Sequence, residues 1–139
     1  MFEARKDRSF TRFDGYKIKP YEIEKVVEES KTVKYCKITS YYSDSNKGFM
    51  PIAHIVLNSS AESLKDKDIV KQIIDEQFIG NPNMSSRQIP SKWRIRQNMP
   101  LTANSKVDFN ALQQEGLDGS EITVEIEETN LSVGEIKII

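Results

Sequence analysis

Few side chains in this sequence could do covalent or metal chemistry by themselves. Cys36 is the only cysteine and His54 the only histidine among 139 residues. An internal disulfide and a Cys/His zinc site are therefore excluded, and we expect no metal site. His54 lies in a dense apolar stretch, where a lone histidine is more often a half-buried packing residue than a catalytic base. No serine or cysteine lies in a recognisable nucleophile motif, so a hydrolase triad is not expected.

A lysine in a polar loop is the best candidate for chemistry on anions. Lys106 ends the stretch PLTANSK, which begins at Pro100. From the residues alone, such a lysine is more often a solvated surface charge. The sequence has neither a Walker-type phosphate loop nor a Gly-x-Gly-x-x-Gly motif. If the protein works on ATP, most of the phosphate-binding groups must therefore lie elsewhere.

The stretch from Arg8 to Glu24 is predicted to contain a strand, a turn, a second strand and the start of a helix within a short segment. Gly15 suits a turn that needs a positive φ or a close backbone approach. Pro20 suits the first helical position, where its missing N–H would be unpaired in any case. Glu22 and Glu24 follow in the first turn, where the helix dipole favours negative charge.

Hydrophobic periodicity predicts an α+β fold, with a small central β-sheet flanked by helices and an extra C-terminal β-hairpin. Ser63 and Asp66 resemble a capping box at the start of the second helix. Asp108 is placed to cap a short third helix that Gly116 ends. The predicted elements are helices over 21–30 and 63–78, strands over 33–42, 51–57 and 92–96, a loop over 80–91, and hairpin strands over 121–127 and 131–139.

Length, net charge and hydrophobicity argue against nucleic-acid binding and against a membrane-spanning protein. The length suits one domain, and the net charge of −1 gives no broad attraction to nucleic acid or to an anionic membrane. Basic residues beside Trp93 are therefore not read as a nucleic-acid site. The sequence has no signal peptide and no apolar stretch long enough to span a membrane, so we expect a cytoplasmic protein.

Two of these stretches also resemble a known family. RFDGYKIKPYEIE, from Arg12 to Glu24, resembles the opening of the small C-terminal domain of acyl-adenylate-forming enzymes. That superfamily includes acyl-CoA synthetases, luciferases and the adenylation domains of peptide synthetases. Pro100 to Lys106 is similar to the family's Pro-x-Thr-x-x-Gly-Lys loop, with Ser105 in place of the glycine. The resemblance extends to about Gly116.

The resemblance implies domain limits and roles for particular residues. Residues 1–8 would be a hinge or linker remnant, 9–116 the lid domain, and 117–139 a C-terminal β extension that could cover a sheet edge or mediate self-association. Lys106 and Gly15 lie far apart in the sequence, so we expect them on opposite faces, each serving one half-reaction. The implied site residues are Lys106 as the catalytic lysine, Asp7 at the hinge, Arg5 at the nucleotide, and Gly15, Tyr16 and Lys17 at the thiol or pantetheine channel.

The implied function is that of the C-terminal mobile domain of an ATP-dependent acid–CoA ligase, which forms an acyl-adenylate and then a thioester. ATP with Mg²⁺ and coenzyme A would be bound mainly by a large N-terminal adenylating domain of the same chain, which also holds the carboxylic acid. One alternative is the matching part of an adenylation domain that loads a carrier protein through its pantetheine. A second alternative is a non-catalytic interaction module. This segment alone is expected to be inactive.

Overall fold

The computed structural model describes residues 9–58, 65–79, 81–114, 122–128 and 133–138. These residues form a two-stranded sheet, a five-stranded sheet and three α-helices, which confirms the predicted α+β class. The elements are β1 (Phe10–Thr11), β2 (Lys17–Ile18), α1 (Pro20–Glu28), β3 (Val33–Ser43), β4 (Gly48–Leu57), α2 (Asp66–Gln77), β5 (Lys92–Arg96), α3 (Phe109–Gln114), β6 (Ile122–Glu128) and β7 (Val133–Ile138).

The five-stranded sheet has the order β3-β4-β5-β6-β7. Strands β3 and β4 form a long antiparallel hairpin, in which Tyr42 pairs with Phe49 near the connecting turn. Strand β5 runs parallel to β4, with Ile95 opposite Ile55. A parallel pair needs a crossover connection, and α2 lies in that connection.

Helices pack on both faces of this sheet. One face carries the main core, in which Ile23 of α1 and Ile73 of α2 are fully buried with Trp93 of β5. Val56 belongs to a second cluster with Met99 and Leu112, where α3 packs. Neighbouring strand residues point to opposite faces, so Ile55 lies on one side of β4 and Val56 on the other.

Helix α1 also protects the free edge of β3, which the sequence pattern did not predict. Glu24 was expected in the first helical turn as a charge that complements the helix dipole, but it is only 6% exposed. Its carboxylate accepts the Ile38 N–H at 2.9 Å, and the Glu28 carboxylate accepts the Cys36 N–H at 2.9 Å. The two carboxylates therefore satisfy strand N–H groups that have no neighbouring strand on that side.

The predicted start of the second helix needs correction. The prediction that the second helix begins at Ser63 is wrong, because Lys65 is extended at φ −74° and ψ 147° and α2 begins at Asp66. Ser63 itself lies outside the described residues. A capping box occurs instead at Ser85, whose side chain accepts the Arg87 N–H at 3.1 Å while Gln88 accepts the Ser85 N–H at 2.7 Å.

Several other predictions are confirmed. Pro20 is the first residue of α1, and the Asp108 carboxylate accepts the Ala111 N–H at 3.1 Å at the start of α3. Cys36 is fully buried as a packed thiol. His54 is more buried than expected, at 1% exposure, because Thr39 meets its Nε2 at 2.9 Å inside the sheet.

The C-terminal hairpin forms as the sequence predicts. Strands β6 and β7 are antiparallel, with Ile126 opposite Ile136. Strand β6 pairs with β5 through Trp93 and Ile122 and so covers the edge that β5 would otherwise present. Ile122 and Val124 join the main core.

Candidate functional site

Lys106 lies in a tight loop that is closed by its own hydrogen bonds. Leu101 and Val107 form an antiparallel bridge at the base of the loop. Inside it, the Thr102 N–H donates to the Lys106 carbonyl at 2.7 Å, and the Ser105 N–H donates to the Thr102 carbonyl at 2.9 Å. The Thr102 hydroxyl also accepts the N–H groups of Asn104 at 3.3 Å and Lys106 at 3.4 Å. The backbone of Lys106 is therefore fixed, while its side chain is exposed.

Ser105, immediately before the lysine, has φ 63°. This is the left-handed region, which a residue with a Cβ enters only at a cost. The resembling family motif has glycine at this position, and glycine enters the region freely. The serine thus keeps the loop geometry of a glycine under some backbone strain.

The rest of the chain anchors the Lys106 loop at one end of β4. Val107 and Phe109, on either side of Asp108, pack against the cluster that contains Val56. The Asp108 N–H donates to the Pro100 carbonyl at 2.8 Å, which ties the end of the loop back to its beginning. The position of the lysine thus depends on β4 and α3.

The second predicted site residue, Gly15, lies in the turn between β1 and β2. Gly15 has φ 90°, as its residue type predicts. The turn is closed by the Arg12 N–H donating to the Tyr16 carbonyl at 2.8 Å and the Gly15 N–H donating to the Arg12 carbonyl at 2.9 Å. Gly15 and Lys17 are exposed, whereas Tyr16 packs against the main core. The exposed surface of the turn therefore consists of the Gly15 backbone and, two residues later, the Lys17 ammonium.

Asp14 organises the charges of this turn. Its carboxylate pairs with Arg12, and it accepts a hydrogen bond from Nε of Arg87 at 3.2 Å. It also accepts the Tyr16 N–H at 3.4 Å. Partial burial raises the pKa of Asp14, but the Arg12 charge, the Tyr16 N–H and Arg87 together outweigh burial and lower that pKa below its ordinary value.

Gly48 brings the turn into close contact with the β3–β4 hairpin. The Phe13 N–H donates to the Phe49 carbonyl at 3.0 Å. A Cβ built on Gly48 would lie 2.6 Å from Cβ and 2.8 Å from Cα of Phe13, so only glycine permits this approach. Sequence reasoning missed Gly48 and Arg87, because both act on a segment far away in the chain. The lone glycine at the start of a strand was the available signal for Gly48.

The two candidate sites lie at opposite ends of one strand. The Gly15 turn contacts Phe49, whereas the Lys106 loop is anchored on the cluster of Val56, seven positions further along β4. At about 3.3 Å per residue, these two anchor points are roughly 23 Å apart. The anchor points of the two loops are thus separated along β4. Arg5 and Asp7 lie outside the described residues.

Comparisons with known proteins cover most of the chain. No family model matches. A D-alanine–D-alanyl carrier protein ligase of Streptococcus pneumoniae is 28% identical over 105 residues, which are 75% of this chain and 20% of that protein. An ATP-bound RpMatB-BxBclM chimera has a TM-score of 0.67 at 17% identity, over 79% of this chain and 20% of the other. A Mycobacterium tuberculosis fatty acyl CoA synthetase has a TM-score of 0.61 at 17% identity, with the same coverage of 79% and 20%.

This chain has the fold of the C-terminal domain of acyl-adenylate-forming enzymes. The family resemblance stated from the two motifs is thereby confirmed. The chain spans about a fifth of the length of the curated relatives that it matches.

Two further findings concern the described part of the chain. No helix there combines the length and the apolar character needed to cross a membrane. No group of three or more His, Cys, Asp or Glu side chains there is placed to hold a metal ion.

Proposed function

We propose that this chain is the mobile C-terminal domain of an ATP-dependent acid–thiol ligase, in which Lys106 serves the adenylation step and the Gly15 turn serves the thioester step. The observation that carries the proposal is the Lys106 loop, whose hydrogen bonds fix the lysine backbone and leave its side chain exposed. A large N-terminal adenylating domain of the same chain would supply the acid and nucleotide pockets, and we expect the enzyme to act in the cytoplasm.

In the first step, a carboxylate oxygen attacks the α-phosphorus of ATP and pyrophosphate leaves. Two anions approach each other, so an ammonium that reaches both lowers the barrier. A charge pair at ~4 Å contributes about 1 kcal/mol in water and about 4 kcal/mol at an effective dielectric of 20. Lys106 would therefore be effective only when the domain closes over the pocket and excludes water.

In the second step, the thiol loses its proton to solvent, the resulting thiolate attacks the acyl carbonyl carbon, and AMP leaves with the bonding electron pair. The Gly15 turn suits the lining of a narrow thiol channel, because a residue without Cβ lets a ligand approach the backbone. Since the two anchors on β4 are roughly 23 Å apart, one closed position of the domain would not serve both steps. The proposal therefore includes a rotation of the domain between the steps, about a hinge at Asp7, with Arg5 near the nucleotide.

Two thiols are candidates for the acceptor, and each is favoured by one of the similar proteins. The curated relatives are D-alanyl carrier protein ligases, which favours pantetheine on a carrier protein. The similar folds include a fatty acyl CoA synthetase, which favours coenzyme A. Mg²⁺ accompanying ATP would be held mainly by the large N-terminal domain, as the family resemblance implies.

The test separates the two half-reactions in the full-length enzyme. Lys106→Ala should lower acid-dependent ATP–pyrophosphate exchange by about 10²–10³-fold, the usual effect of removing one key electrostatic group. Thioester formation from a supplied acyl-adenylate should change little. Gly15→Ala should slow thioester formation from a supplied acyl-adenylate and leave ATP–pyrophosphate exchange nearly unchanged. The matched control is Lys71→Ala on α2, whose ammonium pairs with Asp75 at 2.9 Å and which should alter neither rate.

Unchanged pyrophosphate exchange in Lys106→Ala would contradict the proposal and favour a non-catalytic interaction module. Equal losses of both half-reactions in both variants would contradict the division of labour between the two sites. The chain alone should show no exchange with any acid, because its sequence has neither a Walker-type phosphate loop nor a Gly-x-Gly-x-x-Gly motif.

A further inference from the structure

The last strand of the five-stranded sheet has an open edge. In the described part of the chain, β7 pairs with β6 on one side and with no strand on the other. The opposite edge of the sheet, at β3, differs because the carboxylates of Glu24 and Glu28 accept two of its N–H groups. An unpaired edge is a template for another strand. The β7 edge is therefore the side at which a further strand can extend this sheet.

Hydrogen bonding inside the sheet determines which backbone groups of β7 point outwards. The Val124 N–H donates to the Ser91 carbonyl at 2.8 Å, so Val124 directs its backbone groups towards β5. Backbone direction alternates along an antiparallel strand, so Glu125 directs its groups towards Lys137, which lies opposite it in β7. By the same alternation, the N–H and C=O groups of Ile136 point away from β6.

The register of β6 against β7 opposes unlike charges at one position and like charges at another. Glu125 lies opposite Lys137, but Glu127 lies opposite Glu135. Unlike charges at directly opposed positions stabilise an antiparallel pair, and like charges destabilise it. A strand added at the outer edge of β7 is therefore favoured when it places a basic residue opposite Glu135.

The sequence of β7 meets this requirement when the strand pairs with itself in the antiparallel direction. In a pair centred on Ile136, Glu135 of each copy lies opposite Lys137 of the other. Ile136 then lies opposite its own counterpart, and the outward N–H and C=O groups of the two residues exchange two hydrogen bonds. Such a pair has a twofold axis, which is the symmetry of an isologous dimer.

The same two charges disfavour the neighbouring registers. Any register that keeps the outward backbone groups facing each other moves the centre of the pair by whole residues, first to Glu135 or to Lys137. A centre at Glu135 places two glutamates opposite each other, and a centre at Lys137 places two lysines opposite each other. Of these three centres, only Ile136 opposes unlike charges.

We propose that β7 is a dimerisation strand, which pairs antiparallel with β7 of a second copy of this chain about a twofold axis at Ile136. The five-stranded sheets of the two copies thereby join into one. A single pair of strands buries less surface than a standard interface, so the dimer is weak and depends on concentration. The inference goes beyond the proposed ligase function, and none of its steps uses Lys106 or Gly15.

Sedimentation velocity of the 139-residue chain over a range of concentrations measures the dimer, and charge reversal tests its register. Glu135→Lys should weaken dimerisation by about tenfold or more, because two opposed pairs change from unlike to like charge. Combining it with Lys137→Glu should restore most of the association. The matched control is Glu76→Lys at an exposed position of α2, which should leave association unchanged.

Urea denaturation separates a loss of pairing from a loss of folding. Glu135→Lys opposes unlike charges at the Glu127 position within the chain, so it should not lower the free energy of unfolding. A folded Glu135→Lys protein that still dimerises as the wild type does would overturn the proposal. A chain that stays monomeric up to about 1 mM would also overturn it.

Disulfide cross-linking measures the register directly. Ile136→Cys places two cysteines at opposed, hydrogen-bonded positions, where Cα atoms are about 5.5 Å apart and a disulfide can form. This variant should cross-link two copies on oxidation, and Glu135→Cys should do so much more slowly, because Lys137 lies opposite it. Cys36 is buried and should not compete. Cross-linking of Glu135→Cys as fast as that of Ile136→Cys would contradict the twofold axis at Ile136.

Discussion

At the scale of single residues, Ser105 shows how the Lys106 loop differs from its motif. Its φ of 63° costs a non-glycine residue about 1–2 kcal/mol. Glycine removes this strain, although it adds about 0.5–1 kcal/mol of unfolded-state entropy. Ser105→Gly should therefore leave the free energy of unfolding unchanged or raise it slightly, whereas Ser105→Val should lower it, because a β-branched residue tolerates the left-handed region least.

Urea denaturation measures this difference, and two glycine substitutions serve as controls. Ala103→Gly lies in the same loop without a positive φ and should destabilise by about 0.5–1 kcal/mol. Lys47→Gly, at φ 57°, should behave like Ser105→Gly. Equal losses in Ser105→Gly and Ala103→Gly would show that the serine is not strained.

Asp14 gives the Gly15 turn a pH dependence. Its pKa is lowered in the folded protein, so its contribution to stability is present above the unfolded pKa of about 3.9 and is lost as pH falls through the folded value. The stability difference between wild type and Asp14→Asn should therefore be largest above about pH 5 and shrink towards pH 3. Arg87→Gln should raise the Asp14 pKa. Urea denaturation at each pH measures the stability difference, and carboxyl NMR titration measures the Asp14 pKa. An Asp14 pKa at or above 3.9 would refute the ion-pair account.

At the scale of elements, the sequence predicted the helix signals that depend only on residues close together in the chain. Pro20 opens α1 and Asp108 caps α3, because these signals act within one helical turn. The sequence did not predict the edge protection of β3 by Glu24, because that hydrogen bond joins residues 14 positions apart. A glutamate at this place in a helix sequence gives no sign of whether its carboxylate accepts a hydrogen bond from water or from a strand N–H.

The candidate site likewise has local features that the sequence predicted and long-range contacts that it did not. The residue types of PLTANSK and the lone Gly15 indicated both loops, since each loop is closed by its own hydrogen bonds. The contact between Gly48 and Phe13 could not be predicted from the sequence, because the two residues are 35 positions apart in the chain. Their approach depends on strand order, which no local pattern contains.

The docking of the Gly15 turn onto the β3–β4 hairpin is tested by Gly48→Ala. The new Cβ would lie 2.8 Å from Cα of Phe13, which is backbone, so the turn must move. We expect a loss of about 1–3 kcal/mol in the free energy of unfolding, as overpacking usually causes. Amide NMR shifts should concentrate between Arg12 and Tyr16.

Two neighbouring substitutions make the Gly48 result specific. Lys47→Ala, one residue earlier, should not move the turn. Gly15→Ala meets no atom within 4 Å, so its effect should come from backbone strain at φ 90° and not from a steric clash. A stable Gly48→Ala protein with an unperturbed turn would show that the contact with Phe13 is not a constraint.

At the scale of the whole molecule, the C-terminal hairpin is part of the core and not an appendage. Ile122 and Val124 are 8% and 3% exposed and pack in the main cluster. The Val124 N–H donates to the Ser91 carbonyl at 2.8 Å, which links β6 to the start of β5. Removing residues 117–139 would expose this apolar surface and leave the N–H and C=O groups of one edge of β5 unpaired.

Truncation after Gly116 should therefore cost about 3–6 kcal/mol of stability, from two buried aliphatic side chains at about 1.5–3 kcal/mol each. Such a loss is a large part of the stability of a small domain, so the truncated chain should also associate through the open edge. Urea denaturation and light scattering measure the two effects. Thr123→Ala, which removes the hydroxyl that Lys92 contacts but keeps β6, is the control that should lower stability much less and cause no additional association. A monomeric truncated chain with wild-type stability would show that the domain ends at Gly116, and the extension would then have no structural role.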